Sequence, residues 1–119
     1  MSESVIIRKA TSEDLQAILV IYNAATHEPA SAYEDMPQTL VQREEWFDYY
    51  SKRNFPIMVA EHDGIVVGWG SLGPHQERAG FRFTGSVAVY VEKMYRRRGI
   101  GGLLLKALLE IYKTPEYNE

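Results

Sequence analysis

The chain has 119 residues, 45% of them hydrophobic and 24% charged, with no cysteine and a net charge of −3. That suits one small domain, residues 1–119, able to bury its own core, and it excludes a disulfide framework, a thiolate metal site and a cysteine nucleophile. Net acidity speaks against nucleic acid as the main partner, and no apolar run approaches the length of a membrane span. The opening Met1-Ser2-Glu3-Ser4 lacks the basic-then-apolar layout of a signal peptide, so a cytoplasmic location with no membrane partner is expected.

Charge is unevenly spread. Residues 1–74 carry five basic and eleven acidic side chains, whereas residues 75–113 carry eight basic and three acidic. The basic half is what a small polyanionic ligand requires, and equally what a solvated basic face would look like.

In chain order, Val5-Ile6-Ile7 reads as a short strand. Thr11, with Asp14 three residues on, forms a capping box for a helix whose apolar face is Leu15, Ile18, Leu19, Tyr22 and Ala25. Residues 27–37 read as a loop, and Thr39 with Gln42 caps a second helix through Trp46, Phe47 and Tyr50 to Arg53. Pro56 starts a strand over residues 57–62, Asp63-Gly64 predicts a hairpin, and residues 65–72 return. Gly73-Pro74 is expected to break that strand, leaving residues 75–80 as a polar loop before a long strand over 81–91. A final helix over 100–112 is apolar on nearly every side and expects cover on more than one face. The order is β-α-α-β-β-β-α, an α+β domain with an antiparallel meander. No partner strand for residues 81–91 follows the last helix, so about two strands and a helix are expected to be missing; the exposed leucines then predict a homodimer or other self-association, or else marginal stability.

Between the last strand and last helix stands Arg96-Arg97-Arg98-Gly99-Ile100-Gly101-Gly102. A helix N-terminus presents unpaired N–H groups and the positive end of a dipole, and glycines let phosphate oxygens approach them. A P-loop would need Gly-x-x-x-x-Gly-Lys-Ser/Thr, which is absent. A dinucleotide fingerprint counted from Gly99 would need glycine where Leu104 stands. What fits is Gln/Arg-x-x-Gly-x-Gly/Ala, met by Arg96, Gly99 and Gly101.

That pattern, between a strand and a helix and after a meander, resembles motif A of the GNAT superfamily of acetyl-CoA-dependent N-acetyltransferases. Ile6-Ile7-Arg8-Lys9-Ala10-Thr11, Ile21-Tyr22-Asn23, Val66-Val67-Gly68-Trp69-Gly70 and Val89-Tyr90-Val91 resemble the phosphinothricin acetyltransferase-like branch in particular. The resemblance implies a mixed, mostly antiparallel sheet flanked by helices, with acetyl-CoA as co-substrate and a small-molecule amine as acceptor. It implies backbone contacts from Val89, Tyr90 and Val91 to the pantetheine arm. It also implies a pyrophosphate loop of Arg96, Arg97, Arg98, Gly99, Ile100, Gly101 and Gly102.

In that branch the expected base is a glutamate, and the matching position here is Ser86. A serine hydroxyl is no base near neutral pH unless another group activates it, though it can position a water. Arg78 matches a loop position facing the acceptor, where it would pair with a carboxylate or phosphinate; an exposed loop arginine is the plainer reading. His75 lies near, His27 and His62 read as loop and hairpin-end residues, and the three share no metal-ligand spacing, so no metal is expected. Two function classes stay open: an enzyme acetylating an amino acid of the phosphinothricin or methionine-sulfoximine type by direct attack in a ternary complex, and a non-catalytic acyl-CoA-binding module.

Overall fold

The computed structural model describes residues 4–26, 37–75 and 84–112, with side chains omitted at 74, 75 and 84–86. Four strands, β1 (Val5–Lys9), β2 (Ile57–His62), β3 (Ile65–His75) and β4 (Thr84–Val91), form one sheet in the order β1-β2-β3-β4. Every described pair is antiparallel. Helices α1 (Leu15–Thr26) and α2 (Leu40–Lys52) cover one face and α3 (Ile100–Tyr112) the other. None of the described helices is long and apolar enough to cross a membrane.

Local chemistry places most of the boundaries. Thr11 N–H donates to Asp14 Oδ2 at 2.7 Å, completing the expected capping box on a 3-10 turn, Ser12–Asp14, that leads into α1. Thr39 and Gln42 exchange their reciprocal bonds at the start of α2. Asp63 and Gly64 both take positive φ, 52° and 77°, the geometry of a two-residue turn whose twist matches its flanking strands.

One expectation is corrected. Gly73-Pro74 does not end β3, which continues to His75 with Gly73 opposite Ser86, Pro74 opposite Gly85 and His75 opposite Thr84. The reason is position in the ladder. Pro74 falls in a pair that needs no N–H toward β4, and β2 begins only opposite Ser71, so nothing on the other side asks Pro74 for a donor. His75 is therefore a strand residue, not a loop residue. Of the strand expected over 81–91, residues 81–83 lie outside the described residues, and β4 begins at Thr84.

The sheet separates two cores. Under α3 the core is aliphatic: Met58, Ala60, Val67 and Leu72 pack on Ile100, Leu104 and Leu108. Under α1 and α2 it is aromatic at its centre, with Trp69 among Tyr22, Trp46, Tyr50 and Tyr90, and Leu15, Ile18, Ile57 and Val59 around it. Close approach of α3 needs bare backbone on β3. A Cβ on Gly70 would lie 3.0 Å from Leu108 Cδ1 and 3.1 Å from Ala88 O, and one on Gly68 would lie 3.1 Å from Tyr90 O. The outer face of α3 leaves Leu103, Leu105 and Leu109 exposed.

Candidate functional site: the β4 edge and the start of α3

Among the described residues β4 has β3 on one side and no strand on the other. Glu92 N–H donates to Val67 O at 2.8 Å, which sets the phase of the alternating ladder. Tyr90 and Ala88 therefore bond to β3, while Val91, Val89 and Val87 turn their N–H and C=O groups to the open edge. Arg96 corroborates this, because its Nε reaches round the edge to donate to Val91 O at 2.9 Å.

The turn that follows is built by its own side chains. Glu92 accepts from Met94 N–H at 2.8 Å and holds a 3-10 turn, Lys93–Tyr95. Arg97 and Gly99 then take positive φ of 68° and 83°, so the chain doubles back before α3. For arginine that conformation costs on the order of 1–2 kcal/mol, a strain that clusters at functional loops. Gly99 O receives the first helical bond, from Leu103 N–H at 3.1 Å, which leaves the amides of Ile100, Gly101 and Gly102 without an acceptor inside the helix.

Ile100 is buried and pins this end of α3 to the core. A Cβ on Gly101 would make ordinary contacts with Val89 and Val91, whereas Gly99 and Gly102 face open space. The first turn of α3 thus lies beside the strand residues whose backbones face the edge. Arg96, Arg97 and Arg98 are all exposed around it, and the Arg98 guanidinium sits 5.2 Å over the Tyr95 ring.

The cofactor-binding positions expected from sequence, Val89 to Val91 and Arg96 to Gly102, are therefore contiguous in space. They differ in kind. Val89 and Val91 offer backbone at the edge, Tyr90 packs its ring into the aromatic core, and Arg96 straps the turn to the strand. Ser86 occupies a β4 register position opposite Gly73, and its side chain is outside what is described. Arg78 and His27 lie outside the described residues. His62 ends β2, where its Nδ1 meets Ser4 O at 3.1 Å. Among the described residues no group of three metal-ligating side chains converges.

Sequence reasoning passed over Arg43, whose side chain lies on the opposite face of the sheet. It is 4% exposed, and burial pushes its pKa down. Its guanidinium lies 4.4 Å from the Tyr22 and Trp46 ring centres and 5.1 Å from that of Trp69. A signal was available: Arg43 shares the i, i+3, i+4, i+7 stripe with Trp46, Phe47 and Tyr50.

A glycine-opened helix following the last described strand of an antiparallel sheet, with helices on both faces, is the arrangement of the GNAT fold. Residues 16–119 match the Acetyltransferase (GNAT) family, and the chain belongs to that family. It is 39% identical over 105 residues to the L-methionine sulfoximine/L-methionine sulfone acetyltransferase of Pseudomonas aeruginosa, matching 87% of this chain and 61% of that protein. Among solved structures, an N-acetyltransferase from Staphylococcus aureus Mu50 superposes with a TM-score of 0.84 at 34% identity, over 96% of this chain and 69% of the other. A GNAT superfamily phosphinothricin acetyltransferase from Sinorhizobium meliloti, solved in complex with acetyl-CoA, gives 0.81 at 26% identity over 90% and 58%. The chain spans about three-fifths of the length of the curated relatives it matches.

Proposed function

We propose that the protein is an acetyl-CoA-dependent N-acetyltransferase that modifies the amino group of a small molecule, an amino acid of the methionine-sulfoximine or phosphinothricin type. The observation that carries this reading is the outward-facing backbone of Val89 and Val91 beside a helix start opened by glycine. An arm bearing amides can pair with such an edge as an added strand. The amides of Ile100, Gly101 and Gly102, with the charges of Arg97 and Arg98, suit a pyrophosphate. The open space at Gly99 and Gly102 is room that a Cβ would take. The acceptor class is supported by the names of the relatives.

Acetyl-CoA supplies an already activated thioester, so an amine can attack directly and no cysteine is called for. The chain's task is to orient the two reactants and to keep the amine unprotonated. Ser86 stands where the resembling branch carries its glutamate. Its hydroxyl serves that task by orienting a water or the amine rather than by taking the proton itself.

The test mixes protein, acetyl-CoA and a panel of amino-acid amines and follows free-thiol release. Release above the uncatalysed background is expected. Calorimetry should show that Arg98→Glu weakens acetyl-CoA binding by about tenfold or more, as loss of a charge-assisted contact predicts. Unchanged affinity would place the pyrophosphate elsewhere. Binding without turnover would favour a second reading, an acyl-CoA-binding module, which the serine at position 86 supports. The same proposal places the protein in the cytoplasm and has it self-associate through the exposed leucines of α3, with a dimer mass expected in light scattering.

A further inference from the structure

We infer that Arg43 is the receptor for the carboxylate of the acceptor amino acid, and that it makes the enzyme selective for acceptors carrying an anion beside the amine. The inference rests on the reading of the protein as an amino-acid acetyltransferase.

Arg43 and Arg8 receive opposite treatment. Arg8 donates to Glu61 at 2.8 Å and to both oxygens of Asp14 at 2.9 and 3.0 Å. Arg43 is more deeply buried than Arg8, and no carboxylate among the described residues pairs with it. What surrounds it is aromatic. Tyr22, Trp46 and Trp69 lie within cation–π distance, and Tyr90 stacks on Trp69 at 4.9 Å.

Rings compensate a guanidinium only in part. Their negative faces attract the cation, but its N–H bonds lie in the guanidinium plane and want an acceptor there. Arg43 Nε is buried and has no such acceptor. Trp69 Nε1, in the same cluster, is also buried without one. Two orphaned donors around one buried cation are rare and costly, at about 1–3 kcal/mol for each unmade bond. A carboxylate arriving beside Arg43 would supply two acceptor oxygens and the missing negative charge together.

The location fits an acceptor. Tyr90 joins the two sites: its ring packs into the Arg43 cluster, and its neighbours Val89 and Val91 face the edge. The α3 rim lies on one face of β4 and Arg43 behind the other. An acceptor anchored at Arg43 would approach β4 from the face opposite α3.

The chain carries its own reporter. Its two tryptophans, Trp46 and Trp69, both lie against the Arg43 guanidinium, so an anion reaching that group alters intrinsic fluorescence. The experiment titrates the full chain without acetyl-CoA, using L-methionine sulfone, L-methionine sulfoximine and L-methionine, each beside its α-carboxamide. A saturable emission change is expected for at least one acid, with its amide at least about tenfold weaker. Arg43→Met should abolish the response while circular dichroism stays native. If that variant fails to fold, Arg43→Lys keeps the charge but loses the planar fork, and should weaken the acid by about tenfold. No saturable response to any acid, equal responses to acid and amide, or a response surviving in the variant would overturn the inference. The readout needs no turnover. An acid-selective response in a chain that releases no thiol would break the proposed activity and leave Arg43 standing, and turnover without the response would do the reverse.

Discussion

The two faces of the sheet handle cationic side chains in opposite ways. On the α3 face the core is aliphatic, and Arg96, Arg97 and Arg98 stay at an exposed rim beside free backbone amides. On the α1–α2 face an arginine is sunk among aromatic rings, with its Nε unpaired. Exposed charges with backbone N–H groups suit a large anion that keeps part of its hydration. A fixed, dehydrated cation suits a small anion of defined geometry, because the cost of burying the charge has already been met by the fold.

The largest test of this contrast is Trp69→Ala. It removes the ring that links Arg43 to Tyr90, and a loss of about 3–5 kcal/mol of stability is expected in denaturant titration. A loss below about 1 kcal/mol would mean the aromatic face is not a packed unit. On the other face, Gly70→Ala drives a methyl against Leu108 and the Ala88 carbonyl. A loss of about 1–3 kcal/mol is expected, with lower acetyl-CoA affinity as α3 shifts.

Asp14→Asn tests the paired arginine that serves as the contrast to Arg43. It should cost about 1–3 kcal/mol near neutral pH, measured by thermal or chemical unfolding. The bonds from Arg8 hold the Asp14 carboxyl below the ordinary carboxylate range, with the Thr11 amide assisting against burial. A depressed carboxylate contributes stability above its unfolded pKa of about 4 and loses it as pH falls through the lower folded value. The gap between wild type and Asp14→Asn should therefore close with acidification below about pH 4. A gap independent of pH would contradict the ion pair.

The smallest expected effect separates folding from binding at the rim. Gly102→Ala meets open space and replaces a poor helix former, so stability should rise by about 0.5–1 kcal/mol. The same methyl would occupy room next to the helix amides, and acetyl-CoA should bind more weakly in calorimetry. Undiminished affinity would show that the pyrophosphate does not lie against this turn.

The features legible in sequence were those determined within a few residues. The capping boxes of Thr11 and Thr39, the Asp63-Gly64 hairpin and the glycine-opened start of α3 all depend on neighbours in the chain. Whether Gly73-Pro74 ends a strand is not local, because a proline ends a strand only where a partner needs its N–H, and that depends on where β2 begins. Likewise the outward phase of Val89 and Val91 follows from the Glu92–Val67 bond, which joins residues far apart in sequence.

By itself, then, the sequence determined the order of elements, the basic glycine turn and the family that turn resembles, since each is written in local spacing and residue type. The tertiary structure alone decided which residues of β4 turn their backbone outward beside that turn, and that Arg43 goes inside. Both outcomes are set by long-range pairing and packing. A stretch reading Gln42-Arg43-Glu44-Glu45 looks solvated until Trp69, from another strand, arrives to cover one member of it.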